Sequence, residues 1–371
     1  MGKWEMVRLG DVCERVETED PTKFEKLIDY IDISSINTDE KKVIDYKTIS
    51  SKEAPSRARQ KVYAGDILVS TVRPNLNAVA VVNTHNNDII ASTGFCVLRI
   101  KRELASNQYV FEFTKSPKFV DQLVKQATGA SYPAVSNKIV LGEKIPLPPL
   151  VTQQKIADIL DRANVLIEKR KAQIEKLDLL VKSQFVEMFG DPVMNPMGWE
   201  TTTWEEVFNT TTGKLDSNAM VENGEYPFFT CAKEVFSIDN YAFDCEALLL
   251  AGNNAAGIYD VKHYVGKFNA YQRTYVITLK NNRFSYYPFK LMLEHKLGQM
   301  RDLSKGTNTK YLTMGILNEF IFIVPSPTLQ TQFATFVERV EAQKTQLKKS
   351  LVLLELNYKS LMQKCFEGEI L

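Results

Sequence analysis

Arg57, Arg59 and Lys61 alternate through a polar stretch early in the chain, and Arg73, Asn75 and Asn77 follow a short apolar run. A guanidinium or a side-chain amide presents two hydrogen-bonding atoms in one plane. That geometry matches the edges of guanine and adenine. A comparable set recurs later: Asn253, Asn254, Gln272, Arg273, Lys305, Asn308 and Lys310. Any one of these is by itself an ordinary solvated loop residue. The set gains weight because amide and guanidinium groups recur in corresponding loops. Ser131 with Tyr132, and Thr307 with Tyr311, lie in turns nearby and are expected to order those turns; Ser131 joins the candidate contacts.

Other chemistry has little support in the pattern. The sequence holds no Gly-x-x-x-x-Gly-Lys-Ser/Thr phosphate loop, no Asn/Asp-Pro-Pro-Tyr/Phe tetrapeptide of an amino-methyltransferase and no glycine fingerprint after a strand. His85, His263 and His295 lack helical i, i+4 spacing and a neighbouring cysteine pair, so no metal site is expected and each reads as a surface or loop histidine. Carboxylates fall in charge-balanced stretches, with no pair marked out as a catalytic dyad. A net charge of +1 excludes a strong overall basic field, so any grip on nucleic acid must come from local patches or from a partner. Cys13, Cys96, Cys231, Cys245 and Cys365 form no close pair, and their odd number argues against a disulfide framework. This pattern, with no secretory leader and no apolar run near the ~18 residues of a membrane span, suggests a cytoplasmic protein.

The elements that position these loops are written twice. Steps of 4, 3, 4, 3 from Ile156 reach Leu160, Ala163, Ile167, Arg170, Ile174, Leu177, Val181, Gln184 and Met188. The same steps from Phe333 reach Val337, Val340, Lys344, Leu347, Leu351, Leu354, Tyr358, Leu361 and Cys365, each 177 residues beyond its counterpart. A 3.5-residue apolar period marks two long helices that each bury one narrow seam against a partner helix. Two such seams in one chain suggest that the helices are each other's partner. Arg170, Gln184 and Lys344 interrupt the seams, where a polar residue costs stability and helps fix register.

A proline-rich hinge precedes each helix, Ile145-Pro-Leu-Pro-Pro-Leu150 and Ile323-Val-Pro-Ser-Pro-Thr328, and Thr152 and Thr328 are the expected N-caps. Before the hinges stand the turns Gly129–Ser136 and Gly306–Thr313. Further upstream, Gly65–Ser70 matches Leu248–Leu250 as a strand, and Ser92–Leu98 resembles Gln272–Ile277. A single helix is expected from about Gln108 to Gln126. From Trp4 to Pro149 is 145 residues, but from Trp199 to Pro327 only 128, so the intervening modules diverge more than their supports.

These signals give an α+β fold: two mixed α/β modules separated by two long helices. The helices are expected to pair as an intramolecular, antiparallel coiled coil, an arrangement that creates a pseudo-two-fold axis with a module at each end. The expected boundaries are 1–150 for the first module, 151–190 for the first helix, 191–327 for linker and second module, and 328–371 for the second helix. A chain of 371 residues, 44% hydrophobic and 25% charged, can bury this many cores.

The order of motifs resembles the specificity (S) subunits of type I restriction–modification systems over essentially the whole chain. The resemblance rests on Trp4 with Leu9-Gly-Asp-Val12, Gly65-Asp-Ile-Leu68, Gly129-Ala-Ser131 before the first hinge, Gln153-Gln-Lys-Ile156 and Phe189-Gly-Asp-Pro192. The second half repeats it as Gly306-Thr-Asn308, Pro325-Ser-Pro327, Gln330-Thr-Gln332 and Phe366-Glu-Gly-Glu369. The second hinge is poorer in proline, and Pro133 stands inside the first turn where many relatives have a polar residue. The resemblance implies two target-recognition domains, each reading one half of a bipartite double-stranded DNA site, with the paired helices setting the spacer. It further implies a non-catalytic chain that docks two methyltransferase (M) subunits and, in the full complex, restriction (R) subunits. S-adenosylmethionine, ATP and Mg are then expected in those partners and no cofactor in this chain. The outer helix faces and the hinges are the expected docking surface.

Two other classes fit the same features less well. A rod-like adaptor with protein ligands would not bind duplex DNA even beside a methyltransferase. A nuclease or modification enzyme with a cryptic site would act as the single purified chain.

Overall fold

The computed structural model describes residues 4–84 and 88–370. Helices run over α1 (Asn107–Thr114), α2 (Pro117–Gln126), α3 (Asn137–Gly142), α4 (Leu150–Phe189), α5 (Trp204–Val207), α6 (Tyr286–Leu303), α7 (Met314–Leu317) and α8 (Pro327–Glu367). The chain divides into two compact units: residues 1–171 with 350–371, and residues 172–349. Each long helix therefore contributes to both units.

In the first unit, a six-stranded sheet has the order Cys13–Glu14, Phe95–Ile100, Ile67–Ser70, Val79–Val81, Lys42–Val43 and Ile36–Asn37. A four-stranded sheet orders Lys47–Ser50, Leu27–Ile31, Ile89–Ser92 and Ala58–Val62, with Leu27–Ile31 parallel to Ile89–Ser92. Ile67, Leu68, Val69 and Ser70 are all buried, so both faces of this strand are covered. The stretch from Gln108 to Gln126 is two helices rather than one. Pro117 lacks an N–H and takes the first position of α2, while the Ser116 hydroxyl accepts from the Phe119 N–H and caps it.

In the second unit, a six-stranded sheet has the order Phe208–Thr212, Thr274–Leu279, Phe243–Ala251, Val261–Ala270, Tyr226–Phe229 and Phe236–Ile238. Its central pair repeats that of the first unit. Leu248 faces Ile277 and Ala251 faces Thr274, as Ile67 faces Leu98 and Ser70 faces Phe95.

The long helices are braced alike in the two units. They start ahead of the expected caps, two residues before Thr152 at Leu150 and one before Thr328 at Pro327, so Thr152 and Thr328 lie inside the first turn. Pro149 and Ser326 precede them, and the Ser326 hydroxyl accepts from the Leu329 N–H. Gln153 is fully buried: its amide donates to Pro148 O (2.8 Å) and Leu104 O (3.2 Å) and accepts from the Ser106 N–H (2.8 Å). Gln330 repeats this with Pro325 O (2.8 Å) and the Ser285 N–H (3.0 Å). Each glutamine thus ties a hinge carbonyl to the start of α1 or α6, satisfying backbone groups that burial would otherwise leave unpaired.

Within the first unit, Ile156, Ala157 and Leu160 from the start of α4 share a core with Met362 and Cys365 near the end of α8, with Tyr358 and Leu361 packed against it. Within the second, Val181, Phe185 and Phe189 from the end of α4 share a core with Phe333, Val337 and Val340 from the start of α8, with Leu177 beside them. Within each unit, the start of one long helix thus packs against the end of the other, as antiparallel pairing requires. Ile167 is buried too, and Ile174, Leu347, Leu351 and Leu354 are half-buried. The seam drifts by one residue at the end of α4, where Phe185 and Phe189 are buried and Gln184 and Met188 are only half-buried. There the helix turns its side chains toward the module, and Phe333 meets Phe185 and Phe189 at centroid distances of 5.7 and 5.3 Å. The seam lysine Lys344 is ion-paired with Asp178. Tyr358 donates to the buried Glu112 carboxylate (2.7 Å), and burial followed by that charge pushes its hydroxyl well above the usual tyrosine range, so it remains a donor.

Candidate nucleic-acid interface

At the end of the strand Ile67–Ser70 the chain enters the loop Thr71–Asn77. The Thr71 N–H and hydroxyl both donate to Gly94 O (2.9 Å each), and Val135 N–H donates to Thr71 O (2.9 Å). The second unit builds the same junction: the Gly252 N–H donates to Arg273 O (2.8 Å) and the Leu312 N–H to Gly252 O (2.8 Å). The turns are held alike, with Thr128 bridging Ala134 and Lys305 bridging Tyr311. Val72 then bridges Ala134, as Asn253 pairs Tyr311. Gly129 and Gly306 have φ of +101° and +98°. A Cβ on Gly129 would lie 2.9 Å from Tyr132 O, and one on Gly306 would lie 2.1 Å from Thr309 O. Only glycine closes these turns without displacing backbone. In each unit, three separate segments thus converge on one loop cluster.

The cluster gathers part of the residue set expected from sequence. In the first unit Arg73, Asn75 and Ser131 are exposed on it. Arg73 has a left-handed backbone (φ +49°), donates its N–H to Pro133 O (2.7 Å) and lays its guanidinium over the Tyr132 ring at 4.8 Å. Asn77, also left-handed, serves the loop itself: its amide donates to Lys115 O (3.4 Å) and its carbonyl accepts from Lys41 Nζ (2.6 Å). Arg57 is exposed, and its carbonyl accepts from the Thr93 N–H (2.8 Å), beside the junction. Arg59 and Lys61 continue along Ala58–Val62, where Arg59 meets Asp20 (3.2 Å) and Lys61 meets Glu19 (3.9 Å). Their charge is balanced within the unit.

In the second unit Gln272, Arg273, Lys305 and Asn308 are exposed around the junction, with Asn253 and Lys310 half-buried. Asn254 holds its own loop: its Oδ1 accepts from Ala256 N–H (2.8 Å) and Ile258 N–H (3.3 Å). The Gln272 amide reaches Asp216 (3.4 Å). The Tyr132 ring carries the Arg73 guanidinium, a partnership that the sequence reading did not draw. Tyr132 is 68% exposed, and an aromatic inside a glycine turn across from an arginine loop was the available signal.

Catalytic equipment is sparse among the described residues. No group of three or more His, Cys, Asp or Glu side chains among them could hold a metal ion. Burial pushes the Cys13 and Cys96 thiols up to about 12, so neither forms a thiolate near neutral pH. His85 lies outside the described residues. His263 is not a loop residue; it sits in the strand Val261–Ala270 with Glu246 2.8 Å away. His295 is exposed on α6 and stacks on Phe185 at 5.8 Å. No helix among the described residues is long and apolar enough to cross a membrane.

Comparison with known proteins agrees with this double construction. The type I restriction modification DNA specificity domain family matches residues 1–176 and, separately, 196–357. The chain is similar to the type I restriction enzyme EcoDI specificity subunit of Escherichia coli, 36% identical over 181 residues. That match takes in 47% of this chain and 39% of the relative's length. It is similar over a longer span to the MjaIX specificity subunit of Methanocaldococcus jannaschii, 22% identical over 86% of this chain and 81% of the relative. A solved structure concerned with complex assembly and conformational transition of the type I R-M system aligns with a TM-score of 0.61 and 26% identity, covering 100% of this chain and 98% of its own. With both halves of the chain matched and the loop junction built twice, the chain belongs to the type I restriction modification DNA specificity domain family.

Proposed function

We propose that this chain is the sequence-specific DNA-binding subunit of a type I restriction–modification complex. Each unit reads one half of a bipartite double-stranded site, and the paired helices set the gap between the halves. The observation that carries this reading is the repeated junction of Thr71, Gly94 and Val135 with its counterpart of Gly252, Arg273 and Leu312. Two rigid, equivalent frames display different side chains, which suits two different half-sites read in the same manner.

The chain itself performs no catalysis in this reading. Two methyltransferase subunits bring S-adenosylmethionine and methylate the target base after extruding it from the duplex. Restriction subunits bring ATP and Mg in the full complex. Exposed apolar side chains on the long helices support docking there: Val165, Leu166, Val352, Leu353 and Leu356 in the first unit, and Leu179, Leu180 and Val186 in the second. A near-neutral chain fits a grip on DNA shared with such partners.

The test is duplex binding by the chain reconstituted with its methyltransferase subunit, beside each component alone. The expected result is tight, sequence-dependent binding that needs this chain. No duplex binding by the reconstituted pair would favour the adaptor class. Methylation or cleavage by the purified single chain would contradict the non-catalytic role.

A further inference from the structure

The side chain of Arg73 is held more firmly than an exposed arginine ordinarily is. Its backbone adopts φ +49° and ψ +62°, a conformation that few non-glycine residues take. The loop around it is braced at three points: the Arg73 N–H on Pro133 O (2.7 Å), the Thr71 N–H on Gly94 O (2.9 Å) and Lys41 Nζ on Asn77 O (2.6 Å). Backbone strain persists only where its surroundings over-determine it, and such positions cluster at ligand sites. The guanidinium stacks over Tyr132 at 4.8 Å, and among the described residues it has no ion pair or side-chain hydrogen bond. Arg99 supplies the contrast: it also stacks on a tyrosine, Tyr63 at 4.5 Å, but its N–H groups are spent on Asp66 at 2.8 Å. Arg99 is a structural arginine. Arg73 has the same ring support and its donors unused.

We propose that Arg73 reads a guanine in the half-site contacted by the first unit, with Tyr132 as the platform that fixes the plane of its guanidinium. This rests on the DNA-binding function proposed above. Two parallel N–H groups donate to guanine O6 and N7, a pairing that a lysine cannot reproduce and that adenine, with a donor at N6, rejects. Stacking on the ring removes rotamer freedom before DNA arrives, so less is lost when the contact forms. The second unit lacks this device. Asn254, with its Oδ1 engaged in its own loop, takes the place of Arg73, and Thr309 takes the place of Tyr132. The preference is therefore confined to one half-site.

The experiment is methylation mapping and competition binding with the complete methyltransferase complex carrying wild-type chain, Arg73→Ala, Arg73→Lys, Tyr132→Phe or Tyr132→Ala. The expected wild-type motif has a guanine–cytosine pair in one half-site. Arg73→Ala and Arg73→Lys lose about tenfold or more discrimination at that pair alone. Tyr132→Phe keeps it, and Tyr132→Ala relaxes the same pair. Where a variant methylates too weakly to map, competition by duplexes substituted at each pair reads the same discrimination. A motif unchanged in Arg73→Ala, with binding lowered equally on all sequences, would assign Arg73 to a phosphate and overturn the proposal. Relaxation in the other half-site, or no guanine–cytosine pair in either half, would also overturn it. Failure of the underlying function looks different: wild-type chain would give no split motif at all.

Discussion

Gly306 and Gln330 show how much single residues carry in this chain. Gly306→Ala places a methyl group against Thr309 O at a positive φ, which costs about 1–2 kcal/mol from the backbone alone. The turn carrying Lys305, Asn308 and Lys310 must then shift. The expected outcome in competition binding is weaker discrimination in one half-site with the other untouched. Gln330→Ala leaves the Ser285 N–H and Pro325 O buried without that amide, a loss of about 1–3 kcal/mol visible as a lower urea midpoint. The glycine turns were legible in sequence because a positive φ leaves a glycine behind. The glutamines were not: at a helix start Gln153 and Gln330 look like solvated polar residues, and their burial depends on the distant approach of Ser106 and Ser285. The local roles of Asn77 and Asn254 were hidden for a related reason, since an amide that holds its own loop has the same sequence signature as one that awaits a base.

Among the elements, the long helices were the most legible. A 3.5-residue period names its own partner face, and Ile156, Leu160, Phe333 and Val337 are buried where it placed them. The register slipped by one residue near the end of each helix, at Phe185 and Phe189, which the module core claims, and at Met362, which is buried where Leu361 was expected. Phe333→Ala removes a ring packed against both and is expected to cost about 3–5 kcal/mol, measured by denaturant unfolding of the whole chain. Matched deletion of one heptad from the middle of α4 and of α8 removes about 10 Å of helix, or roughly three base-pair steps. The expected result is a changed gap with both half-sites preserved. A preserved gap with altered half-sites would contradict the spacer role of the helices. The break between α1 and α2 was missed because Pro117, which cannot continue α1, is well suited to start α2.

Across the whole molecule, the doubling is the feature that sequence carried best and the strand order inside each module the one it carried least. Short strands such as Lys42–Val43 or Tyr226–Phe229 have too few residues to announce their neighbours, and parallel pairings like Leu27–Ile31 with Ile89–Ser92 are set by tertiary contact. On the proposed function, the doubling divides recognition between the two halves of the chain. Replacing residues 1–150 with those of a relative is expected to exchange one half-site and leave the other, as read by the methylated motif.

The most direct measurement is single-molecule sequencing of adenine methylation in cells carrying this chain and its methyltransferase subunit, against cells lacking only this chain. The expected result is a split motif, two short half-sites at a fixed gap, present with the chain and lost without it. Methylation at the same sites in both, or at none in either while the chain still assembles with the methyltransferase, would contradict a role in DNA specificity.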